Sequence, residues 1–351
     1  MNKVFAKSGE PLAIYDTSNR TESSGVGTSK PDLGIFHKND VNRGNLKDAL
    51  KATKGVPGRY VYTARMGEVY AFIEVKSSKN LDPFIDRPND DNTPPGYRFT
   101  IDPWKKYPDD QNAQYSVSAL GQITRYAHVI QTRQFRTCVY SISVAGTTAR
   151  LLRWDRNGVI VTESFEYKSK PEILTGFIWL FSKATNEGRG FDPSAVAVTS
   201  EAERFRFACA ITRHAKAQLS GLNVEEVREE VDKHYWPSAV TRLTVGTGAE
   251  THSIWVSRPM FTSPGVIGRS TKGYWGVRCE SDEVVFIKDI WRTNAPGVDV
   301  EGTILKGLLE EGVRNIPELV CHGDVESEGE SHFLHSPNSE ISSHAVKENY
   351  K

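Results

Sequence analysis

The stretch GEVYAFIEVK, residues 67–76, is an aromatic and β-branched run opened by a glycine. Such a run reads as a strand. Side chains alternate along a strand, so Glu74 and Lys76 point to the same face. The ordinary reading of Glu-x-Lys on a strand is a solvated face with a cross-strand salt bridge. Beside a second carboxylate the pair becomes the donor set of a Mg²⁺-dependent phosphodiester hydrolase. Hard oxygen ligands hold the cation, and the lysine supplies charge to the attacking water or the phosphate.

Working outward, PLAIYD (11–16) and KPDLGIF (30–36) read as strands, and RYVYTA (59–64) as another. Pro31-Asp32 opens the second, so pairing of that strand with GEVYAFIEVK brings Asp32 beside Glu74. Residues 79–112 are rich in Asp, Pro and Asn and read as a long loop. From 113 to 134, Val117, Leu120, Ile123, Tyr126, Ala127 and Ile130 share one helical face. Gln122 and Tyr126 are i and i+4 on that helix. RTCVYSISVAG is then a strand, and ARLLRWDRNGVIVTESFEY a hairpin turning at Arg156-Asn157-Gly158. PEILTGFIWLFSKAT is a helix with Pro171 in its first turn and Gly188 after its end. Together these form one α/β unit over 1–190.

Pro-Asp at a strand start, Glu-x-Lys at the end of an apolar strand and Gln-x-x-x-Tyr on the next helix come in an order that resembles the PD-(D/E)xK nuclease superfamily. The last motif resembles its recombination-nuclease-like branch. The resemblance implies a restriction-endonuclease-like fold with Asp32 and Glu74 holding Mg²⁺ or Mn²⁺ and Lys76 catalytic. Gln122 and Tyr126 would support the site or the contact with DNA or RNA. That fold normally begins with a helix that often bears another acidic residue. Only ten residues precede PLAIYD, so this helix is expected to be absent or very short, and Glu10 is a poor substitute. A domain of this kind retained only for binding is the alternative.

The second half begins with a basic helix over 199–220, whose Arg204, Arg206, Arg213, His214 and Lys216 could meet phosphates or form a solvated face. NVEEVREEVDKH is a further helix. Strands follow in VTRLTV, THSIWVSRP, GVIG, GYWGVRC and EVVFIKDIW, then the helix VEGTILKGLLEEG. Gly268 to Gly273 form a glycine-rich loop in which Ser270 replaces the middle glycine. Lys288 lies on the next apolar strand and Glu301 on the helix after it. This is the strand–loop–strand–strand–helix order of a protein-kinase nucleotide lobe, where the lysine meets phosphates and pairs with the helix glutamate. Tyr274 and Trp275 could stack on a base or pack in the core. His322-Gly323-Asp324 reads as a turn at the lobe edge. No Asp follows Asp324, so neither the catalytic loop nor the metal-binding aspartate of a kinase is expected, and the chain by itself is expected to be kinase-inactive. From 326 the Ser/Glu-rich sequence is expected to be a disordered tail.

Several stretches together resemble the fungal-type protein kinase family: KPDLGIF, FIEVK with Asp82-Pro-Phe84 soon after, GQITRYA, ARLLRWDRNGVIVTESFEY, RGFDP, GRSTKGYWGV, VVFIKDIWR and NIPELVCHGDV. Members are similar to a nuclease-like module joined to a kinase domain. The resemblance implies ATP binding, at Gly268, Gly273, Lys288 and Glu301, and protein phosphorylation for full-length members. A protein partner could cover the incomplete lobe. A non-catalytic pseudokinase or interaction module is the alternative.

Composition narrows the field. Lys+Arg and Asp+Glu are both 44 of 351 residues, so the chain is not a polycation that coats nucleic acid or acidic lipid. Four scattered cysteines and no Cys-x-x-Cys argue against a zinc site or a disulfide scaffold. No apolar run approaches the roughly 18 residues of a membrane span. The start lacks a signal-peptide core, so an intracellular protein, cytoplasmic or nuclear, is expected. The expected class is α/β (α+β). Its parts are a nuclease-like domain over 1–190, a helical connector over 191–238, a partial kinase-like N-lobe over 239–325 and the tail 326–351.

Overall fold

The computed structural model of the chain describes residues 1–18, 29–39, 64–88, 97–219, 221, 223–236, 239–246, 251–292, 299–324 and 344–350. It divides into two compact units, Met1–Gly190 and Phe191–Lys351. Both mix helix and sheet, the α+β class expected.

The first unit opens with a seven-residue helix, α1 (Asn2–Ser8), closed by Gly9 in the left-handed conformation (φ 75°). A short helix therefore does precede the first strand, but it carries no acidic residue. Strands β1 (Leu12–Asp16), β2 (Leu33–His37) and β3 (Ala71–Lys76) form an antiparallel meander. Helix α2 (Gln111–Arg133) carries the chain over to β4 (Val139–Ala145), which pairs parallel to β3. Its N-cap is Asp110, whose carboxylate accepts the Ala113 N–H at 3.0 Å. β5 (Thr148–Trp154) and β6 (Val159–Val161) extend the sheet antiparallel, and β7 (Phe165–Glu166) pairs with the start of β5. The Asn157-Gly158 turn is fixed by Asp155, whose Oδ1 accepts both of their N–H groups. α3 (Pro171–Lys183) follows, with Pro171 in its first turn.

β3 is buried on both faces, which is why Ala71 to Glu74 form one continuous buried run. On one face Ala71 and Ile73 share a core with Phe5 of α1 and with Leu174, Ile178 and Phe181 of α3. On the other, Phe72 meets the ring of Tyr126 edge-on at 5.6 Å, and Ile123, Ala127 and Ile130 of α2 are buried. Gly190 ends the unit at φ 83°, where a Cβ would lie 2.2 Å from the Cys138 carbonyl oxygen. That position admits only glycine.

The segment expected as a loop over 79–112 is partly organised. After a 3₁₀ turn, Lys79–Leu81, its two limbs pair. The Ile85 N–H donates to the Phe99 carbonyl, and the Ile101 N–H to Pro83, each at 2.8 Å. This arm hangs on Arg150 of β5, which is buried and forms ion pairs with Asp82 at 2.7 Å and with Asp86, and donates to the Phe84 carbonyl. Burial works against the Asp86 charge, but hydrogen bonds from Ser164 and Arg150 outweigh it and hold that carboxyl below its ordinary value.

The second unit contains β8 (Ala195–Ala197), α4 (Glu201–Gln218), α5 (Val224–His234), β9 (Thr241–Val245), β10 (His252–Val256), β11 (Phe261–Thr262), β12 (Lys272–Arg278), β13 (Val284–Arg292), α6 (Glu301–Glu310), β14 (Leu319–Asp324) and β15 (His344–Tyr350). The sheet runs β14-β15-β13-β12-β10-β9-β8, with β11 also on β12. Residues 191–238 are not a separate connector. Phe207, Ala210 and Ile211 of α4 and Val227 and Val231 of α5 share a core with Trp255 and Val277 of the sheet. His234 of α5 stacks on Trp275 at 3.8 Å between ring centroids.

Three further expectations are corrected. GVIG (265–268) is not a strand, because Gly268 at φ 94° turns the chain there. His322 to Asp324 do not form a turn but lie in β14, drawn straight by pairing with β15. Within the expected disordered tail, His344–Tyr350 is a strand, because the edge of β13 offers it a ladder of backbone partners. Composition reports poverty of core residues, not an open sheet edge. Residues 59–63 of the expected strand, 325 at the end of the expected N-lobe, and 326–343 and 351 of the expected tail lie outside the described residues.

Arg150→Ala strands two carboxylates at the base of the arm. The expected loss is about 3 kcal/mol, at the lower end for a broken buried pair because Asp86 is partly exposed. Urea unfolding checks it, and an unchanged midpoint would contradict the anchoring role.

Candidate functional site

The residues singled out in the first unit come together at one end of β3. Asp32 immediately precedes β2, and its Oδ2 accepts the backbone N–H of Val75 at 2.8 Å. That bond places the Asp32 carboxylate against the strand segment carrying Glu74 and Lys76. Lys76 donates from Nζ to Glu74 Oε1 at 2.6 Å and to Gln122 Oε1 of α2 at 2.8 Å. Tyr126, one turn further along α2, donates its hydroxyl to the Lys30 carbonyl at 3.0 Å. It thereby holds the Lys30-Pro31 backbone from which Asp32 projects. Thr17 adds to this, its backbone N–H donating to the Asp32 carbonyl at 2.9 Å.

Glu74 is not on a solvated face. Its residue is 4% exposed, and Oε2 is buried without a hydrogen-bond partner. Burial pushes the carboxyl above its ordinary value. The Lys76 hydrogen bond pulls it back, and the Asp32 charge pushes it up again. Tyr126 is shifted upward as well, by burial and then by the charges of Glu74 and Asp32, so its phenol stays protonated. Two carboxylates and an ammonium thus converge, with one carboxylate oxygen awaiting a partner. An oxygen of that kind fits a hard divalent cation. Among the described residues no cluster of three or more His, Cys, Asp or Glu could hold a metal, so any cation here would rest on two protein carboxylates. Glu10 takes no part. It lies 3.6 Å from Lys183 of α3.

Sequence reasoning missed Arg150 and Ser143. In register, Glu74 of β3 pairs with Ser143 of β4, and Ser143 with Arg150 of β5. The three side chains share one face. The available signal was Arg150 beside the apolar pair Leu151-Leu152, together with the acids Asp82 and Asp86.

In the second unit, Lys288 of β13 forms an ion pair with both carboxylate oxygens of Glu301, the first residue of α6. Arg269 approaches the same carboxylate at 3.4 Å. Gly273 is not in a loop. It is the second residue of β12, directly opposite Lys288, and a Cβ there would meet the Phe261 ring at 2.3 Å. Gly268 lies in the loop before β12, and Ser270 stands at φ 42°, a conformation rare for a residue with a side chain. A model of the fungal protein kinase family matches residues 101–343, more than half of the chain. The chain belongs to the fungal protein kinase family. No curated protein and no solved structure matches it.

Membership of the fungal protein kinase family makes the chain kinase-like, and the match takes in Gly268, Gly273, Lys288 and Glu301 together with Gln122 and Tyr126. It begins after Asp32, Glu74 and Lys76. Other candidates for ligand contact are used internally. Tyr274 is buried, and Trp275 lies between His234 and His214. On the basic helix, Arg206 pairs with Asp282 at 2.8 Å and covers the Trp255 ring. Among the described residues no helix is long and apolar enough to cross a membrane.

A folded-state carboxyl raised above its unfolded value binds its proton more tightly when folded. Its ionisation therefore removes stability as pH rises from the ordinary glutamate value through the raised one. Glu74→Gln is accordingly expected to melt higher than the parent at pH 7, with the difference closing as pH falls toward 4.5. Thermal melts across that range check it. A variant that melts lower at pH 7 would show the Lys76 hydrogen bond to outweigh burial.

Proposed function

We propose that the Met1–Gly190 unit is a divalent-cation-dependent phosphodiester hydrolase. The reading is carried by the buried, unpartnered Oε2 of Glu74 beside Asp32 and Lys76. Asp32 and Glu74 would hold Mg²⁺ or Mn²⁺. When bound, such a cation acidifies a coordinated water and offsets charge developing on the phosphate. Lys76, steadied by Glu74 and Gln122 and partly open to solvent, directs its ammonium at the scissile phosphate or the water. Tyr126 acts as a positioning residue through the backbone before Asp32, not as a proton donor.

The parent protein is expected to cleave DNA or RNA oligonucleotides in Mg²⁺ or Mn²⁺. Glu74→Gln and Lys76→Ala should each lose roughly 10²- to 10³-fold in rate, as for removal of a transition-state charge partner. Mn²⁺ should raise the melting temperature of the parent and not of Glu74→Gln. A folded parent with neither cleavage nor a Mn²⁺ shift would end the hydrolase reading.

A second reading rests on the Lys288–Glu301 pair. We propose that the second unit binds the phosphates of ATP through Lys288, with Glu301 orienting the ammonium and the segment from Gly268 to Gly273 lying over the nucleotide. Mg-ATP is then expected to stabilise the parent against heat and to leave Lys288→Met unshifted. Equal shifts in both would place the nucleotide elsewhere.

A further inference from the structure

We propose that the arm between β3 and α2 is a binding platform for single-stranded nucleic acid, with Trp104 as its stacking surface and Lys105 and Lys106 as its phosphate contacts. This rests on the hydrolase reading for the chemical class of the strand it feeds to Glu74.

Trp104 is 90% exposed, more than any other large hydrophobic side chain among the described residues. It is not on a loose end. Its backbone N–H is held at 3.0 Å by Asp102 Oδ1, and Asp102 is itself paired with Arg98 at 2.5 Å. The limb it follows is zipped to the 83–85 limb, and Tyr97 of that limb donates its hydroxyl to the Asp86 carbonyl at 2.9 Å. A ring presented outward by a built turn has both faces available, and every nucleobase has a face to offer it. Lys105 and Lys106 follow directly and are exposed, Lys105 lying over the Tyr107 ring at 5.3 Å. Of the nearby acids, Asp102 is taken up by Arg98 and Asp110 by the N-terminus of α2, while Asp109 is exposed and offsets part of the lysine charge. Phe99, 51% exposed and edge-on to Tyr97 at 5.0 Å, offers a second apolar surface on the same limb.

The arm also has a fixed relation to the carboxylate site. Its base is tied to Arg150, which stands on the same sheet face as Glu74 and two strands away. At the usual spacing of neighbouring strands that is roughly 10 Å. The arm leads into α2, which carries Gln122. A strand stacked on Trp104 is thus held by an arm rooted on the sheet face that carries Glu74. In a duplex the base faces are covered by their neighbours, so an exposed tryptophan selects unpaired bases.

Binding of a labelled dT₁₂ and a labelled rU₁₂ is measured by fluorescence anisotropy in EDTA, with the full chain and its Glu74→Gln variant. Cleavage therefore plays no part in the readout. Trp104→Ala is expected to weaken binding of at least one oligonucleotide roughly tenfold, within the range for loss of one base–aromatic stack. Trp104→Phe is expected to restore most of it, and Lys105→Ala/Lys106→Ala to lower the salt dependence. Binding of a 12-base-pair duplex should be unchanged by Trp104→Ala. The proposal is overturned if Trp104→Ala binds both oligonucleotides as tightly as the parent, if it weakens the duplex equally, or if the parent binds neither. It is also overturned if the substitution instead abolishes binding to anionic phospholipid vesicles. Loss of cleavage without loss of this binding would fail the hydrolase reading alone.

Discussion

A carboxylate inside a sheet covered on both faces is costly to ionise, and Glu74 occupies such a position. The strand around it is what a fully buried strand should be, with Ala71, Phe72 and Ile73 packed above and below. The charge partner of Glu74 is Lys76, two residues along the same strand, which Gln122 of the covering helix holds in place. The Asp32 carboxylate, latched to the Val75 N–H from the strand alongside, adds a second negative charge that works against ionisation. Each partner fixes a relation between elements. Asp32 sets the alignment of β2 with the end of β3, and Gln122 and Tyr126 set the rotation of α2 about its axis. The polar cluster thus reports on how the whole meander–helix–strand unit is assembled.

Much of this was legible in the sequence because its signals were local. Periodicity placed α2 to within two residues at its start, and the Asn157-Gly158 pair marked its hairpin. Residue order along the chain put Asp32, Glu74, Lys76, Gln122 and Tyr126 on elements that the structure does bring together. What was not legible depends on contacts between distant segments. The burial of Glu74 follows from α2 covering its face, and neither Glu74 nor Lys76 announces that cover. Arg150 looks like an ordinary strand cation until Asp82 and Asp86 meet it. Gly273 reads as a loop glycine, whereas its real constraint is the Phe261 ring across the ladder. β15 was invisible for the same reason, since its support is the backbone ladders it shares with β13 and β14.

The two units carry different kinds of charge pair. In the second unit Lys288 and Glu301 meet at the surface of a strand and a helix start, with Arg269 close by, an arrangement open to exchange with a phosphate. In the first, Glu74 is buried and Lys76 is only partly open to solvent, held by Glu74 and Gln122. Family membership speaks to the second arrangement. The first stands on its own geometry.

The parallel pairing of β3 with β4 joins Ile73 to Ile142, two positions separated by the whole arm and the whole of α2. Contacts so distant in sequence form slowly, because the entropy of closing the intervening chain must be met before any pairing energy is gained. The neighbour that completes the flank of β3 is consequently the late partner of the carboxylate site. A ribosome still making β4 holds a β3 with one flank bare, and the Arg150 tether that later secures the arm has not yet been synthesised. The order of synthesis thus leaves the apolar edge of the meander exposed longest, and that edge is where premature association with another nascent chain would begin.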